Sequence, residues 1–177
     1  GLKVVTNEVA GNTTGFNTSY WNVSTFGPDS EVFCTIRAKA TVDAEDTAEL
    51  YARIANPGSA GATDGYVLIA IERTVLTDVL QVYRIDNDVL TALGTGIGQE
   101  QTAGDGVGLE IIGSTLTMYF NDNGAGWSSV VTRTDATYSA AGRIGLGIQN
   151  TVARDDEFGG GTVGGITPLR TLTGVGI

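Results

Sequence analysis

Apolar and polar residues alternate singly along this chain, in short segments that turn residues interrupt before any helical spacing can develop. In "EVFCTIRAKA", Val32, Cys34, Ile36 and Ala38 share one side. In "GLEIIGSTLTMYFNDNG", Leu109 and Ile111 lead through Gly113-Ser114 into Leu116, Met118 and Phe120. "LQVYRIDNDVLTAL" alternates on both sides of Asn87-Asp88. A period of two is the signature of a strand with one buried face. The composition fits: 26 of 177 residues are glycine and only 3 are proline, amid abundant threonine, valine and isoleucine. β-Branched side chains suit a pleated surface, and glycine supplies the positive φ of tight turns. Strands are predicted near 2–9, 17–25, 31–40, 47–55, 65–73, 78–85, 88–93, 107–112, 114–121, 127–133, 143–150 and 153–158. A dozen short strands without helices predict an all-β fold, a two-sheet antiparallel β-sandwich, with a closed barrel as the alternative. The sandwich is expected to occupy residues 1–161. Residues 162–177, glycine-punctuated and carrying Arg170 as their one charge, form a separate C-terminal arm.

Charge narrows the partners. Ten basic against 20 acidic residues give a net charge of −10, with lysine confined to Lys3 and Lys39. Such a surface repels phosphate backbones and anionic lipid, so neither nucleic acid nor membrane insertion is expected. No apolar run approaches the ~20 residues that span a bilayer as a helix. The chain has no histidine, which removes Ser-His catalysis and imidazole-ligated metals. Cys34 is the only cysteine and alternates into the apolar side of its strand, so it reads as a small buried hydrophobe. Three Asn-x-Ser/Thr triplets, at Asn12, Asn17 and Asn22, are ordinary in a threonine-rich chain. The chain opens on Gly1, as a processed N-terminus or a piece of a longer polypeptide would.

The order of its motifs is distinctive: "FGPDSEVFCTIRAK", "DGYVLIAIE" and "VYRIDND", then "AGDGVGLEIIGSTLTMYFNDNG", "TYSAAGRIGLGI" and "DDEFGGG". This series resembles the concanavalin A-like (laminin G-like) jelly-roll superfamily, in the versions found in phage virion and bacterial surface proteins. The resemblance spans roughly residues 1–161. It implies a jelly roll in which Gly113 reverses the chain, Gly142, Gly145 and Gly147 allow close approach, and Asp156 and Phe158 close the sandwich with a buried aromatic. Members of the superfamily often begin with an additional strand not seen here; its loss would leave an edge for a neighbour to cover.

"VDAEDTAE", residues 42–49, is half acidic in a chain where 17% of residues are charged. Retaining glucanases with the resembled fold carry Glu-x-Asp-x-x-Glu on a strand, with two carboxyls ~5–5.5 Å apart. Asp46 and Glu49 match the second and third acids of that motif, but the nucleophile position holds Ala44. Three residues apart on a regular strand, Asp46 and Glu49 would also face opposite sides. The expectation is therefore no catalytic residue, a solvated hairpin end over 41–47, and a weak calcium site as its second reading.

Three other features bear on function. "NDNG" puts Asn121, Asp122 and Asn123 in one turn, with Trp127 just beyond. They form a candidate carbohydrate-binding loop in which Asp122 and Asn123 double as weak calcium ligands; an Asn-Gly hairpin turn explains the same residues structurally. Trp21 is expected in the core and Trp127 nearer the surface. In "RDDEF", a local ion pair is expected among Arg154 and its acidic neighbours. The arm offers Ile166, Leu169, Leu172 and Val175 as an assembly surface, because a free tail is usually more charged and less aliphatic. The leading expectation is a non-catalytic structural or decorating module, extracellular or on a virion surface, whose partners are protein subunits of the same assembly. The alternative is a glycan-binding adhesion domain, with calcium as its only candidate cofactor. A glycoside hydrolase is a distant third.

Overall fold

The computed structural model describes residues 1–41 and 46–163. They form fourteen strands: β1 (Leu2–Val5), β2 (Glu8–Gly11), β3 (Asn17–Tyr20), β4 (Ser30–Ala38), β5 (Asp46–Ala55), β6 (Asp64–Ile71), β7 (Val79–Asp86), β8 (Val89–Ala92), β9 (Ile97–Gly98), β10 (Gly106–Ile112), β11 (Thr115–Asn121), β12 (Trp127–Thr134), β13 (Arg143–Ile148) and β14 (Arg154–Thr162). All pairings are antiparallel. Sheet A runs β1-β2-β14-β4-β10-β11-β12; sheet B runs β3-β13-β5-β6-β7-β8, with β9 also on β7. Two sheets face each other, as the alternation predicts.

The facing sides fill the space between them. Val32, Cys34 and Ile36 of β4, Leu109 and Ile111 of β10, and Leu116 and Met118 of β11 meet Leu50, Leu68, Leu80 and Leu146 of sheet B, all buried. Each large aliphatic buried this way stabilises by roughly 1.5–3 kcal/mol before conformational entropy is set against it. Cys34 lies among them, its thiol pushed up by burial and then by the nearby Asp155.

Turn chemistry fixes the register. Asn87 and Asp88 (φ 52° and 66°) supply the paired positive φ of a two-residue hairpin, and Asn123 and Gly124 (φ 44° and 82°) form the turn within the five-residue loop between Asn121 and Trp127. The segment read as one strand over 2–9 is a hairpin instead. Thr6 and Asn7 both turn to positive φ, and β1 folds back on β2. At the other end β14 pairs with β4 through Thr162, whose Oγ1 accepts the Gly27 N–H at 2.7 Å. Val163 donates its N–H to Asp29 O at 2.8 Å and is buried.

Several single-residue expectations give way here. Trp21 is 37% exposed rather than in the core, because β3 ends at Tyr20 and the chain leaves the sheet. Phe158 is half-buried against the core, and Asp156 lies at the surface 3.3 Å from Arg37. Arg154 pairs with Glu8 on β2, across the sheet rather than within its own segment. Asp155, between them, is fully buried.

Candidate functional site

The NDNG turn is largely occupied with holding itself together. Asn121 Oδ1 accepts the Gly126 N–H at 2.9 Å, and Asp105 reaches across to accept the Asn123 N–H at 3.0 Å. The same Asp105 accepts from the Thr102 N–H at 2.6 Å and from its hydroxyl at 3.0 Å. The Asn123 side chain lies against Gly104. Asp122 is exposed at the tip. Trp127 is half-buried: its ring covers Gly106 and meets Phe33 edge-on at 6.0 Å. Of the four residues proposed for sugar contact, only Asp122 stands clear of its neighbours. Among the described residues, no group of three or more acidic or thiol side chains forms a metal cluster.

The acidic stretch behaves unlike the solvated turn expected of it. Residues 42–45, with Ala44, lie outside the described residues, but Asp46 and Glu49 belong to β5 and are 9% and 1% exposed. Asp46 opposes Ile71 and Ala48 opposes Ala70, so one extra residue bulges between them. A bulge of one residue reverses the alternation. Asp46 therefore lies on the same side as Glu49, which opposes Ile69. The expectation of opposite sides fails at this bulge, which residue spacing does not reveal.

That shared side is the outer face of sheet B, turned away from sheet A, and its pairing produces a row that sequence reading missed. Tyr20 of β3 opposes Gly145 of β13, Gly145 opposes Tyr51 of β5, Tyr51 opposes Val67 of β6, and Val67 opposes Tyr83 of β7. Tyrosine thus alternates with a smaller residue across five strands. A second row beside it runs Thr18, Gly147, Glu49, Ile69 and Gln81. Val67, Ile69 and Ile85 are 1%, 5% and 4% exposed, and among the described residues Ile54, Tyr20, Tyr51, Ile71 and Tyr83 cluster with them. The tyrosines surrounding them are half-buried. The face is apolar at its centre and hydroxyl-bearing around it.

The glycines of β13 make this face possible. A Cβ at Gly145 would lie 2.6 Å from Tyr20 Cδ1, so the Tyr20 ring leans over the bare backbone. It meets Tyr51 edge-on at 5.3 Å. Glu49 occupies the equivalent space over Gly147. Glycines at alternate positions of a strand were the signal available in the sequence. What they admit here is two side chains.

Electrostatics follow from the packing. Glu49 Oε2 accepts a hydrogen bond from the Tyr51 hydroxyl, while Oε1 is buried with no hydrogen-bond partner among the described residues. Burial pushes the Glu49 carboxyl up to about 8; the Tyr51 bond pulls against this, and the neighbouring Asp46 carboxylate adds to the push. Burial raises Tyr20 to about 12, aided by the charges of Glu49 and Asp88. Tyr51 rises for the same first reason, then through Glu49. Burial therefore favours the neutral forms of both the phenols and the Glu49 carboxyl on this face. A neutral Glu49 is a poor ligand for a hard cation, which weakens the calcium reading of this stretch.

No family model and no curated protein matches the chain. Solved structures do. A carbohydrate-binding module, CBM66 from Bacillus subtilis, superposes with a TM-score of 0.67 at 14% identity, covering 91% of each chain. The VIP36 exoplasmic/lumenal domain, in a form bound to Ca2+ and Man3GlcNAc, gives 0.66 at 12% identity over 94% of this chain and 84% of the other. A legume lectin-like domain from Entamoeba histolytica gives 0.59 at 10% identity over 92% and 87%. The likeness is one of fold. The chain is a lectin-like jelly-roll β-sandwich, as the concanavalin A-like resemblance implied.

Proposed function

We propose that this protein is a non-catalytic glycan-binding module whose binding surface is the outer face of sheet B. The observation that carries it is the row Tyr20–Gly145–Tyr51–Val67–Tyr83. Saccharides present apolar C–H faces beside equatorial hydroxyls. Aromatic rings with polar neighbours bind such ligands by stacking and directed hydrogen bonds. Tyr20 and Tyr51, whose ring centroids lie 5.3 Å apart, form one aromatic platform, and Tyr83 stands two strands farther along the row. The similarity of fold to sugar-binding modules supports this reading over the structural or decorating role, whose arm residues Ile166, Leu169, Leu172 and Val175 lie outside the described part.

The same row argues against Asn121, Asp122, Asn123 and Trp127 as the main sugar contacts, because their hairpin is committed to its own hydrogen bonds. Catalysis is not proposed: Asp46 and Glu49 share a face, but position 44 carries alanine where a nucleophile would be needed. A glycan on a cell or virion surface is the partner proposed, in an extracellular setting.

The test is binding to a panel of neutral polysaccharides by affinity electrophoresis. Wild-type protein is retarded by at least one of them, and Tyr83→Ala weakens that retardation at least tenfold. Retardation lost in Trp127→Ala but kept in Tyr83→Ala would move the site to the NDNG hairpin.

A further inference from the structure

We propose that β3, an outer strand of sheet B, is the contact through which two copies of this protein pair, joining their tyrosine rows into one longer face. The joined face rests on the sugar surface proposed above; the pairing itself does not. Residues 9–28, which contain β3, include no charged side chain, in a chain whose net charge is −10. Among the described residues, Phe16 and Trp21 are the two aromatics that stand among the exposed large hydrophobics, and they flank β3 on either side, at 69% and 37% exposure. Val23, just beyond, is 80% exposed. Covering such side chains with a partner removes apolar surface from water.

Among the described residues, the backbone of β3 is paired on one side only. Trp21 donates its N–H to Ile144 O at 2.9 Å, and the residues of an antiparallel strand bond to a given neighbour alternately. Asn17, Ser19 and Trp21 therefore face β13, while the N–H and C=O groups of Thr18 and Tyr20 point the other way, off the end of the sheet. Such an edge is self-complementary. Turned about a two-fold axis normal to the sheet, it offers the same donors and acceptors to its own copy and keeps both outer faces on one side. Charge selects this edge over the others. β8 follows directly on Asp86 and Asp88, β1 carries Lys3 and β12 carries Arg133, so two copies meeting there bring like charges together. At β3 they do not. A four-residue strand buries little by itself, so Phe16, Trp21 and Val23 supply the rest, and a reversible dimer in the micromolar range is expected. Tyr20 is the last residue of the tyrosine row on this side. Pairing at β3 sets the two rows end to end across one continuous sheet, and a long saccharide then spans both.

Sedimentation velocity from low to high micromolar concentration reads the association, and amide hydrogen exchange under the same conditions locates it. The expected result is a monomer–dimer equilibrium in which exchange at Thr18 and Tyr20 slows at least tenfold as the dimer forms. Phe16→Glu and Val23→Glu each place a like charge at the contact and weaken association at least tenfold. Both positions are exposed, and an unchanged urea midpoint shows that each variant folds. Affinity electrophoresis then reads the joined face. The two variants bind short neutral oligosaccharides as wild type does, but lose most of the retardation by mannan or a β-glucan, because avidity goes with the dimer. A protein that stays monomeric across the range overturns the pairing and leaves the sugar face standing. So does a dimer whose protected amides lie on β1, β8 or β12, or exchange at Thr18 and Tyr20 that is equally slow at every concentration. Variants that dissociate yet keep the full retardation overturn the joining of the rows. A dimer protected at β3 that binds no saccharide supports the pairing and overturns the sugar face instead.

Discussion

Asp155 extends from β14 into the space between the sheets, where both its carboxylate oxygens are buried without hydrogen-bond partners among the described residues. Burial holds its pKa well above the usual carboxylate range, and the charge of Glu49 adds to this. The sign follows directly. A carboxyl whose folded pKa exceeds its unfolded value stabilises the fold below the unfolded pKa, and that stability is lost as pH rises through the folded one. Asp155→Asn should therefore flatten the dependence of stability on pH and raise the urea midpoint at pH 8 relative to wild type. Equal midpoints for the two proteins at pH 8 would contradict it. Gly147→Ala makes the opposite kind of prediction: a Cβ there collides with the Glu49 carboxyl. It should cost about 1–3 kcal/mol by overpacking, measured by chemical denaturation. Single side chains were the least legible scale in the sequence. Asp155 sits between an arginine and two further acids, in a string that looks solvated, and only the register of β14 on β4 turns it inward. Glu49 looked solvated for the same reason. Cys34, by contrast, was legible because its neighbours alternate without a bulge.

At the level of strands and turns, residue type determined what could be read. Asn-Asp and Asn-Gly place two positive φ values in succession, so the hairpin at 87–88 and the turn at 123–124 follow from local chemistry. A bulge has no such signature. The extra residue in β5 is Thr47, buried, with its hydroxyl accepting the Ala40 N–H at 3.1 Å. That contact depends on the chain crossing from sheet A to sheet B, and nothing within "EDTAEL" announces it. The candidate loop was misjudged in the same way, since its key residue lies 18 positions away. Asp105 holds the Asn123 N–H, the Thr102 N–H and the Thr102 hydroxyl. Asp105→Ala removes the acceptor of three part-buried hydrogen bonds and should cost about 1–3 kcal/mol. Asp122→Ala, at the exposed tip, should leave the denaturation midpoint where it is. If both changes have the same effect, the loop is not organised from Asp105.

For the whole molecule, the two-sheet architecture was legible because one period, repeated through a dozen segments, leaves few ways to bury all the apolar sides at once. The row of tyrosines was not, because it joins five strands drawn from positions 17 to 86 and 143 to 148, and only the pairing order aligns them. Among the described residues, β1 and β12 end sheet A, and β3 and β8 end sheet B. The arm makes a separable prediction. Because β14 continues through Thr162 and Val163 is buried, deletion of residues 164–177 should leave a folded sandwich with unchanged sugar binding. Sedimentation would then show whether assembly is lost with the arm. Loss of folding on that deletion would make the arm part of the core. Millimolar calcium that raises the melting temperature, reversed by chelator, would reinstate a metal site by mass action. The most direct test of the sugar face is a backbone amide NMR titration with the neutral polysaccharide fragment that binds best. The shifts should cluster on Tyr20, Tyr51, Val67 and Tyr83 and on the glycines of β13. Shifts confined to Asn121–Trp127, with the tyrosine row silent, would contradict the account.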